Sequence, residues 1–361
     1  MRGKENMKRQ THQPRAMKKL YALGEKRSID LSLSENPLGC SPMVASALKK
    51  VKVNFNDYPQ PNGALLKQVL ANKFNLKAED FFVANGSESI IRDIPRVFSN
   101  VGDEAVMPLL TFPLFKVCSE LAGLRPILVK MTDQLKIDLA AIADSISSQT
   151  SLVFICNPNN PTGDILPKNE LIKLFDLVPK STTLVVDEAN IEFGGESIIK
   201  EIRNRKNLIV LRIFSKGFGL ANLRIGFAVA SQRIIQRLEE ETQIFPVSGL
   251  SELLAKAALA DTEFIRQTKK FVDQERLIMK RELKKIGFTV FSSETNNLFV
   301  KIPTNIPSAV FLEKIRLAEV SLVSGSSFVG FDDRFFRASM RTRVINQKFL
   351  EAMRLIVEKN R

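Results

Sequence analysis

The chain has 361 residues, of which 44% are apolar and 25% charged, and its formal net charge is +14. This composition is typical of a globular protein with one large and one smaller domain, or with two comparable domains, and it excludes global disorder. The single histidine, His12, argues against a Ser-His-Asp triad and against a multi-histidine metal site, so we predict no bound metal. The cysteines Cys40, Cys118 and Cys156 are far apart, which predicts reduced thiols in a cytoplasmic protein rather than a zinc knuckle or a disulfide framework.

The N-terminal end of the chain, residues 1–29, is predicted to be a basic arm. Residues 1–27 hold nine lysines and arginines against Glu5 and Glu25, a net charge of +7 that is half of the total. Such an arm could bind nucleic acid or an anionic membrane, but Tyr21 is its only aromatic residue, which favours a solvated tail. No signal-peptide pattern follows the basic start, and no apolar stretch is long enough to span a membrane. We therefore expect neither a nucleic-acid nor a membrane partner.

Short apolar runs separated by helical patterns fill the middle of the chain. They are predicted to be strands: Phe81–Ala84, Ala105–Met107, Arg125–Val129, Leu152–Cys156, Leu184–Val186, Leu208–Leu211 and Ile225–Ala230. Runs of this kind are typical of buried, mostly parallel strands in an α/β sheet. We expect residues 55–250 to form a large domain around that sheet.

The pattern changes after residue 250. A long amphipathic helical stretch is predicted first, followed by short strands and two more helices: Glu252–Leu283, Thr289–Phe291, Leu298–Ile302, Ser308–Ala318, Val320–Val323 and a terminal helix from about Asn346. Residues 251–361 are therefore expected to form a smaller α+β domain. A short strand signal at Asp30–Leu33 could join either domain, and we predict that residues 30–54 pack with the smaller one.

Polar residues follow the predicted strands where they end: Gly86-Ser87-Glu88, Asn157–Asn160, Asp187 and Ser215-Lys216. In an open α/β sheet, ligands bind outside the carboxyl ends of the strands. A lysine beside a carboxylate suits pyridoxal 5′-phosphate (PLP), since Lys216 can form a Schiff base and Asp187 can keep the ring nitrogen protonated. The helix start at Gly86-Ser87-Glu88 can bind the phosphate through its N–H groups, aided by Ser215 and Arg224.

Three motifs resemble, in their order and spacing, those of fold type I PLP-dependent enzymes: Asn157-Pro158-Asn159-Asn160-Pro161-Thr162-Gly163, Asp187-Glu188-Ala189 and Ser215-Lys216-Gly217. From about Asp30 to its C-terminus the chain resembles the class I and II aminotransferase family, close to histidinol-phosphate aminotransferase and to threonine-phosphate decarboxylase. Ser34-Glu35-Asn36-Pro37-Leu38-Gly39 looks like the family's substrate-side motif, and Asp57-Tyr58-Pro59 looks like a segment that crosses to a partner subunit. The resemblance implies a large domain with a mostly parallel mixed sheet flanked by helices, a smaller α+β domain, and an active homodimer.

The resemblance also implies a role for each matching residue. Lys216 would be the Schiff-base lysine, and Asp187 would pair with the ring nitrogen. Further cofactor-binding residues would be Asn160 and Asn190 at the ring hydroxyl, Phe112 on the ring face, and Gly86, Ser87, Glu88, Ser215, Arg224 and the partner subunit's Tyr58 at the phosphate. Arg337 would bind the α-carboxylate of the substrate as a bidentate fork, together with Asn36.

Several positions depart from the family pattern. Asn190 and Phe112 stand where these aminotransferases usually have tyrosines, and Val323 stands where an arginine contacts the substrate phosphate. The glycine-flanked histidine near the start of the decarboxylase is absent. Since an apolar residue cannot replace a charge-assisted hydrogen bond, we expect that a side-chain phosphate is not required, unless another basic residue compensates. The candidates for that compensation are Arg341, Arg343 and Lys19.

These residues predict a PLP-dependent aminotransferase that moves an amino group between an amino acid and a 2-oxo acid. The alternative is a PLP-dependent amino-acid decarboxylase, because the sequence does not determine which substituent of the α-carbon lies perpendicular to the ring. A third class, a non-catalytic protein of the same fold, is disfavoured because Lys216, Asp187 and Arg224 are all retained.

Overall fold

The computed structural model describes residues 27–358. The predicted basic arm, with His12 and Lys19, lies outside the described residues except for its last three positions. Within the described residues the strands are β1 (Ile29–Asp30), β2 (Phe81–Ala84), β3 (Glu104–Pro108), β4 (Arg125–Val129), β5 (Thr150–Cys156), β6 (Thr183–Asp187), β7 (Leu208–Ile213), β8 (Gly226–Ala230), β9 (Thr289–Val290), β10 (Asn297–Lys301), β11 (Val320–Ser321), β12 (Val323–Ser324) and β13 (Phe335–Ser339). The helices are α1 (Pro42–Lys50), α2 (Ala64–Phe74), α3 (Gly86–Phe98), α4 (Leu114–Leu121), α5 (Leu139–Asp144), α6 (Lys168–Leu177), α7 (Gln232–Glu240), α8 (Gly249–Ala260), α9 (Thr262–Lys285), α10 (Ser308–Leu317) and α11 (Arg343–Glu358).

The larger sheet has seven strands in the order β2-β8-β7-β6-β5-β3-β4. Strands β3 to β7 pair in parallel, whereas β8 is antiparallel to both of its neighbours. All seven runs predicted as strands belong to this sheet, so the predicted mostly parallel mixed sheet is confirmed. The strands are mostly apolar because helices cover both faces of the sheet.

Side chains alternate between the two faces along each central strand. Val153 and Ile155 of β5 lie in one apolar cluster, which also contains residues of α2, α6 and α8. Leu152 and Phe154 of the same strand lie in a second cluster, built with residues of α3, α4 and α7. The sheet is therefore the middle layer of a three-layer sandwich. The carboxyl ends of its parallel strands lie side by side, and we call this row of strand ends the open edge.

A smaller antiparallel sheet, in the order β12-β13-β10-β9, follows in the C-terminal third of the chain. Its strands alternate, so that one face packs on α9, α10 and α11 through residues such as Val300 and Phe336. The opposite face carries Phe299, Val323 and Arg337, which lie in register across three strands. Because residues directly opposite each other project to the same side of a sheet, Arg337 is flanked by two apolar side chains.

The structure differs from the sequence prediction at two places. The helical stretch predicted at Glu252–Leu283 is two helices, because Asp261 ends α8 and its carboxylate accepts the N–H of Phe264 at 3.0 Å as the cap of α9. The strand predicted at Val320–Val323 is divided between β11, which pairs in parallel with β1, and β12, which belongs to the smaller sheet. The predicted domain boundaries stay predictions. Across residues 27–358, every helix is too short or too polar to span a membrane.

Candidate active site

The open edge of the larger sheet brings the predicted strand-end residues together. Cys156 and Asp187 are paired at the ends of β5 and β6, and the N–H of Asn157 donates to the carbonyl of Asp187 at 2.9 Å. Strand β7 ends three residues before Lys216. The sequence could place these residues at one edge because parallel strands end on the same side of a sheet.

Asp187 is a buried carboxylate, only 2% exposed. Burial raises the pKa of Asp187 to about 7, and the negative charge of Glu188 acts in the same direction. The N–H of Ala189, which donates to Oδ1 at 2.9 Å, and the positive charge of Lys216 act the other way. A carboxylate held out of water in this manner is suited to pair with a cationic ring nitrogen.

Lys216 lies among charged groups of both signs. The pKa of Lys216 is lowered from 10.5 to about 8, mainly by burial and in addition by the positive charges of Arg337 and Arg224. The carboxylates of Glu35 and Asp187 act in the opposite direction. An amine with such a pKa is substantially neutral near pH 8, so it can act both as a nucleophile and as a base.

Arg337 reaches from the smaller sheet to the edge of the larger one. Its Nη1 donates to Oδ1 of Asn160 at 2.8 Å, and its Nη2 donates to the carbonyl of Ser32 at 2.6 Å. The sequence placed Arg337 and Asn160 in one site, and the structure brings them into direct contact. The contribution of Ser32 could not be predicted, because every residue has a backbone carbonyl and the residue type does not show which one accepts this hydrogen bond.

The predicted phosphate cradle lies where α3 begins. Gly86 has φ +74°, and a Cβ at this position would lie 2.8 Å from Nη2 of Arg224, so only glycine lets the arginine approach the helix N-terminus. Arg224 is itself held at φ +51°, and Glu88, which lines the same cavity, pairs with Arg92 at 3.3 Å. N–H groups at a helix start beside a guanidinium are a suitable site for a phosphate.

Unsatisfied polar groups in the site test whether the cofactor fits. Asn190 is only 5% exposed, and its buried Oδ1 has no hydrogen-bond partner among the described residues. Phe112 is partly buried and packs edge-on against Phe115 with a centroid distance of 5.7 Å. An unpartnered amide oxygen, an aromatic face, a buried carboxylate and a lysine around one edge are the groups that a phosphorylated pyridine ring needs, so the residues fit PLP.

Two predicted residues lie differently from the rest of the site. The amide of Asn36 donates to the carbonyl of Gly217 at 2.8 Å and to Thr268 at 3.2 Å, so it holds the segment after Lys216. Tyr58 is 83% exposed and stacks on Phe245 at 4.8 Å, where it makes no hydrogen bond to the site residues of its own chain. A role for Asn36 at the substrate and a role for Tyr58 in a partner's site both stay predictions.

Known proteins share the sequence family and the fold of this chain. The family model "Aminotransferase class I and II" matches residues 26–353. Histidinol-phosphate aminotransferase 2 of Carboxydothermus hydrogenoformans is 32% identical over 335 residues, which cover 91% of each chain. The crystal structure of the histidinol-phosphate aminotransferase from Clostridium acetobutylicum superposes with a TM-score of 0.83 at 25% identity, covering 92% of this chain and 99% of that one. The enzyme of the same name from Sinorhizobium meliloti, solved in complex with PLP, has a TM-score of 0.84 at 23% identity over 96% and 95% of the chains, which shows a common fold.

The lowered pKa of Lys216 can be measured in the cofactor-free protein. Labelling with an amine reagent across a pH series, quantified at Lys216 by mass spectrometry, should give a midpoint near pH 8. Replacing the cation in Arg337→Met should raise the midpoint, because a positive charge that disfavours the protonated amine is lost. Arg354→Met, whose guanidinium pairs with Glu282 on a different face of the chain, serves as the control and should leave it unchanged. A wild-type midpoint near 10.5 would contradict the assignment.

Proposed function

Since the chain belongs to the family of class I and II aminotransferases, we propose that it acts on an amino acid whose α-carboxylate is held by Arg337 while Lys216 moves the α-proton. The protein is a PLP-dependent aminotransferase of the histidinol-phosphate aminotransferase type, which exchanges an amino group between an amino acid and a 2-oxo acid. The predicted aminotransferase activity is thereby confirmed. The observation that carries the proposal is the position of the Arg337 fork, bonded to Asn160 and Ser32 and close enough to Lys216 to lower its pKa.

Bound PLP supplies an electron sink for the charge that develops at the α-carbon. Lys216 would hold the cofactor covalently. Its free Nζ amine would accept the α-proton of the substrate and then donate that proton to the cofactor. The lowered pKa suits both steps, because a base works best when its pKa lies near the operating pH. Asp187 keeps the ring nitrogen cationic, since a buried carboxylate favours a positively charged partner.

The remaining predicted residues would hold the cofactor in place. Gly86, Ser87, Glu88, Ser215 and Arg224 surround its phosphate in this proposal, with Asn160 and Asn190 at the ring hydroxyl and Phe112 on the ring face. The buried, unpartnered Oδ1 of Asn190 supports its assignment. Arg337 binds the α-carboxylate through a planar fork, which matches two carboxylate oxygens better than a lysine would.

The attachment of PLP to Lys216 is the test of this assignment. Borohydride reduction of the loaded protein should leave a stable adduct, which peptide mass spectrometry should locate on Lys216. Lys216→Ala should carry no adduct and should lose at least about a thousandfold in kcat, because it removes both the covalent attachment and the base. Lys301→Ala is the control, since Lys301 lies on the smaller sheet over the ring of Phe335. An adduct on another lysine would refute the proposal.

We also propose that the substrate needs no side-chain phosphate. Val323 is 1% exposed and lies directly opposite Arg337, where it packs in a cluster with Leu110, Phe299 and Phe328. The Val323 position therefore offers no positive charge to a substrate phosphate. Within the described part of the chain, each basic residue that could compensate is already paired with a carboxylate.

Two ion pairs account for those basic residues. Arg341 pairs with Glu35, and Arg343 pairs with Glu275 at 2.8 Å. Their positive charges are thus neutralised within the chain, which supports the proposal. Lys19, the third candidate, lies outside the described residues.

The relatives are named for histidinol phosphate, so this proposal is tested directly against that compound. Specificity constants should be compared for histidinol phosphate, phosphothreonine and a panel of unphosphorylated amino acids. We expect an unphosphorylated amino acid to have the highest value, because a phosphate would lack charge-assisted contacts worth about 1.5–3 kcal/mol each. If either phosphorylated compound exceeds all others by about a hundredfold, a difference of about 2.7 kcal/mol, the proposal is wrong.

A cytoplasmic homodimer completes the proposal. Two segments expose large side chains, Leu48, Phe55 and Tyr58 in one and Ile244 and Phe245 in the other, and they meet where Tyr58 stacks on Phe245. An open cavity of about 610 Å³ beside Arg224 is lined in part by Glu241, Thr242 and Gln243, next to that exposed surface. A two-fold partner would cover these side chains and bring the partner subunit's Tyr58 towards the phosphate cradle. The three free cysteines support a reducing, cytoplasmic environment.

Subunit mixing tests the crossing of Tyr58. Lys216→Ala and Tyr58→Ala are each expected to be nearly inactive as homodimers. If Tyr58 acts across the dimer, unfolding and refolding the two variants together should restore about a quarter of the wild-type sites, because half of the dimers are mixed and each has one intact site. Refolding each variant alone is the control. If the mixture remains inactive although mixed dimers form, Tyr58 serves its own subunit.

A further inference from the structure

Behind Asp187 and Lys216 lies a buried cluster of charges that the mechanism above does not use. Arg212 of β7 is 7% exposed, and its Nη1 approaches Oε2 of Glu188 at 3.3 Å while its Nη2 donates to Oε1 of Glu192 at 2.6 Å. Glu188 directly follows Asp187 in the chain, and Arg212 precedes Lys216 by four residues. One guanidinium thus joins the segment that carries Asp187 to the segment that carries Lys216.

The Glu188 end of this cluster is fully hydrogen-bonded. Its Oε1 accepts the N–H of Ile198 at 2.7 Å, and its Oε2 accepts the hydroxyl of Ser197 at 2.6 Å. Its own N–H donates to the carbonyl of Leu211 at 2.9 Å, which ties it to β7 a second time. The guanidinium of Arg212 also lies over the ring of Phe74, 5.6 Å from the centroid. The charges therefore have well-defined positions rather than a mobile solvated arrangement.

The Glu192 end touches the residue after the lysine. A Cβ built on Gly217 would lie 2.4 Å from Cβ of Glu192, so the side chain of Glu192 packs directly against the Gly217 backbone. On another side, the carbonyl of Gly217 accepts the amide of Asn36 at 2.8 Å. These two contacts hold the backbone of Gly217 in place, and they thereby restrict the backbone position of its neighbour Lys216.

From these contacts we infer that Arg212 and Glu192 are positioning residues, which set the place of Lys216 relative to Asp187 through the backbone of Gly217. The inference rests on the proposed roles of Lys216 and Asp187. Oε2 of Glu192 and Nε of Arg212 are buried without hydrogen-bond partners among the described residues, which a purely stabilising ion pair would be expected to avoid. The arrangement instead favours one geometry, because a planar fork can bridge two carboxylates only when both are correctly placed.

The test uses substitutions that separate geometry from charge. Arg212→Lys keeps the positive charge but cannot bridge both carboxylates. Glu192→Ala keeps Cβ but removes the carboxylate that Arg212 bonds, together with the Cγ and Cδ atoms that lie against Gly217. We expect both variants to form the covalent bond with added PLP about tenfold to a hundredfold more slowly than the wild type, with kcat lowered by a similar factor and KM changed by less than about threefold. Glu192→Gln retains the shape and an oxygen that accepts from Arg212, so it should restore most of the rate.

The matched control is Arg276→Lys. Arg276 is 6% exposed, and its Nη2 pairs with both Asp273 at 2.8 Å and Glu294 at 3.2 Å, while its Nη1 donates to the carbonyl of Thr295 at 3.1 Å. It should lower the melting temperature of the cofactor-free protein about as much as Arg212→Lys does, without slowing the attachment of PLP. Equal attachment rates in Glu192→Ala and the wild type would overturn the inference, as would equal defects in Glu192→Ala and Glu192→Gln. A wild-type protein that attaches PLP elsewhere would overturn the assignment of Lys216, and the inference with it.

Discussion

Removal of two opposite charges from water is the constraint on which the site depends. Burial moves the pKa of Asp187 up to about 7 and that of Lys216 down to about 8, so both groups titrate within the same narrow range. Neither shift would survive exposure to solvent, because water would stabilise both charged forms. The three-layer packing of the larger sheet therefore has a chemical consequence, since the helices on its two faces close the space behind the strand ends that carry Asp187 and Lys216.

The site is built from two sheets, and each supplies a different kind of group. The larger sheet contributes the groups proposed to face the cofactor, at the ends of its parallel strands. The smaller sheet contributes Arg337, which meets the larger sheet at Asn160. The cation proposed to bind the substrate is thereby placed by a contact that joins residues 177 positions apart in the chain. The residues directly opposite Arg337 on the two neighbouring strands, Phe299 and Val323, are both apolar.

The large sheet could be predicted from the sequence, because its strands are buried on both faces and read as mostly apolar runs. The smaller sheet was harder to predict. Phe335–Ser339 is not among the predicted strands, and Val320–Val323 reads as one strand although its two halves pair in different sheets. A change of hydrogen-bond partner leaves no signal in composition. For the same reason the contacts of Ser32, Asn36 and Glu192 could not be foreseen, since each depends on segments that meet only in the folded chain.

Leu322 is the single residue between β11 and β12, and these two strands belong to different sheets. A connection of one residue has no slack, so a displacement of β11 must be transmitted to β12 and from there to the strand of Arg337. Since β11 pairs with β1, the chain leading into the Ser34–Gly39 motif is mechanically linked to the arginine. Strand β1 and the strand of Arg337 are therefore expected to move together, and inserting residues at Leu322 would uncouple them.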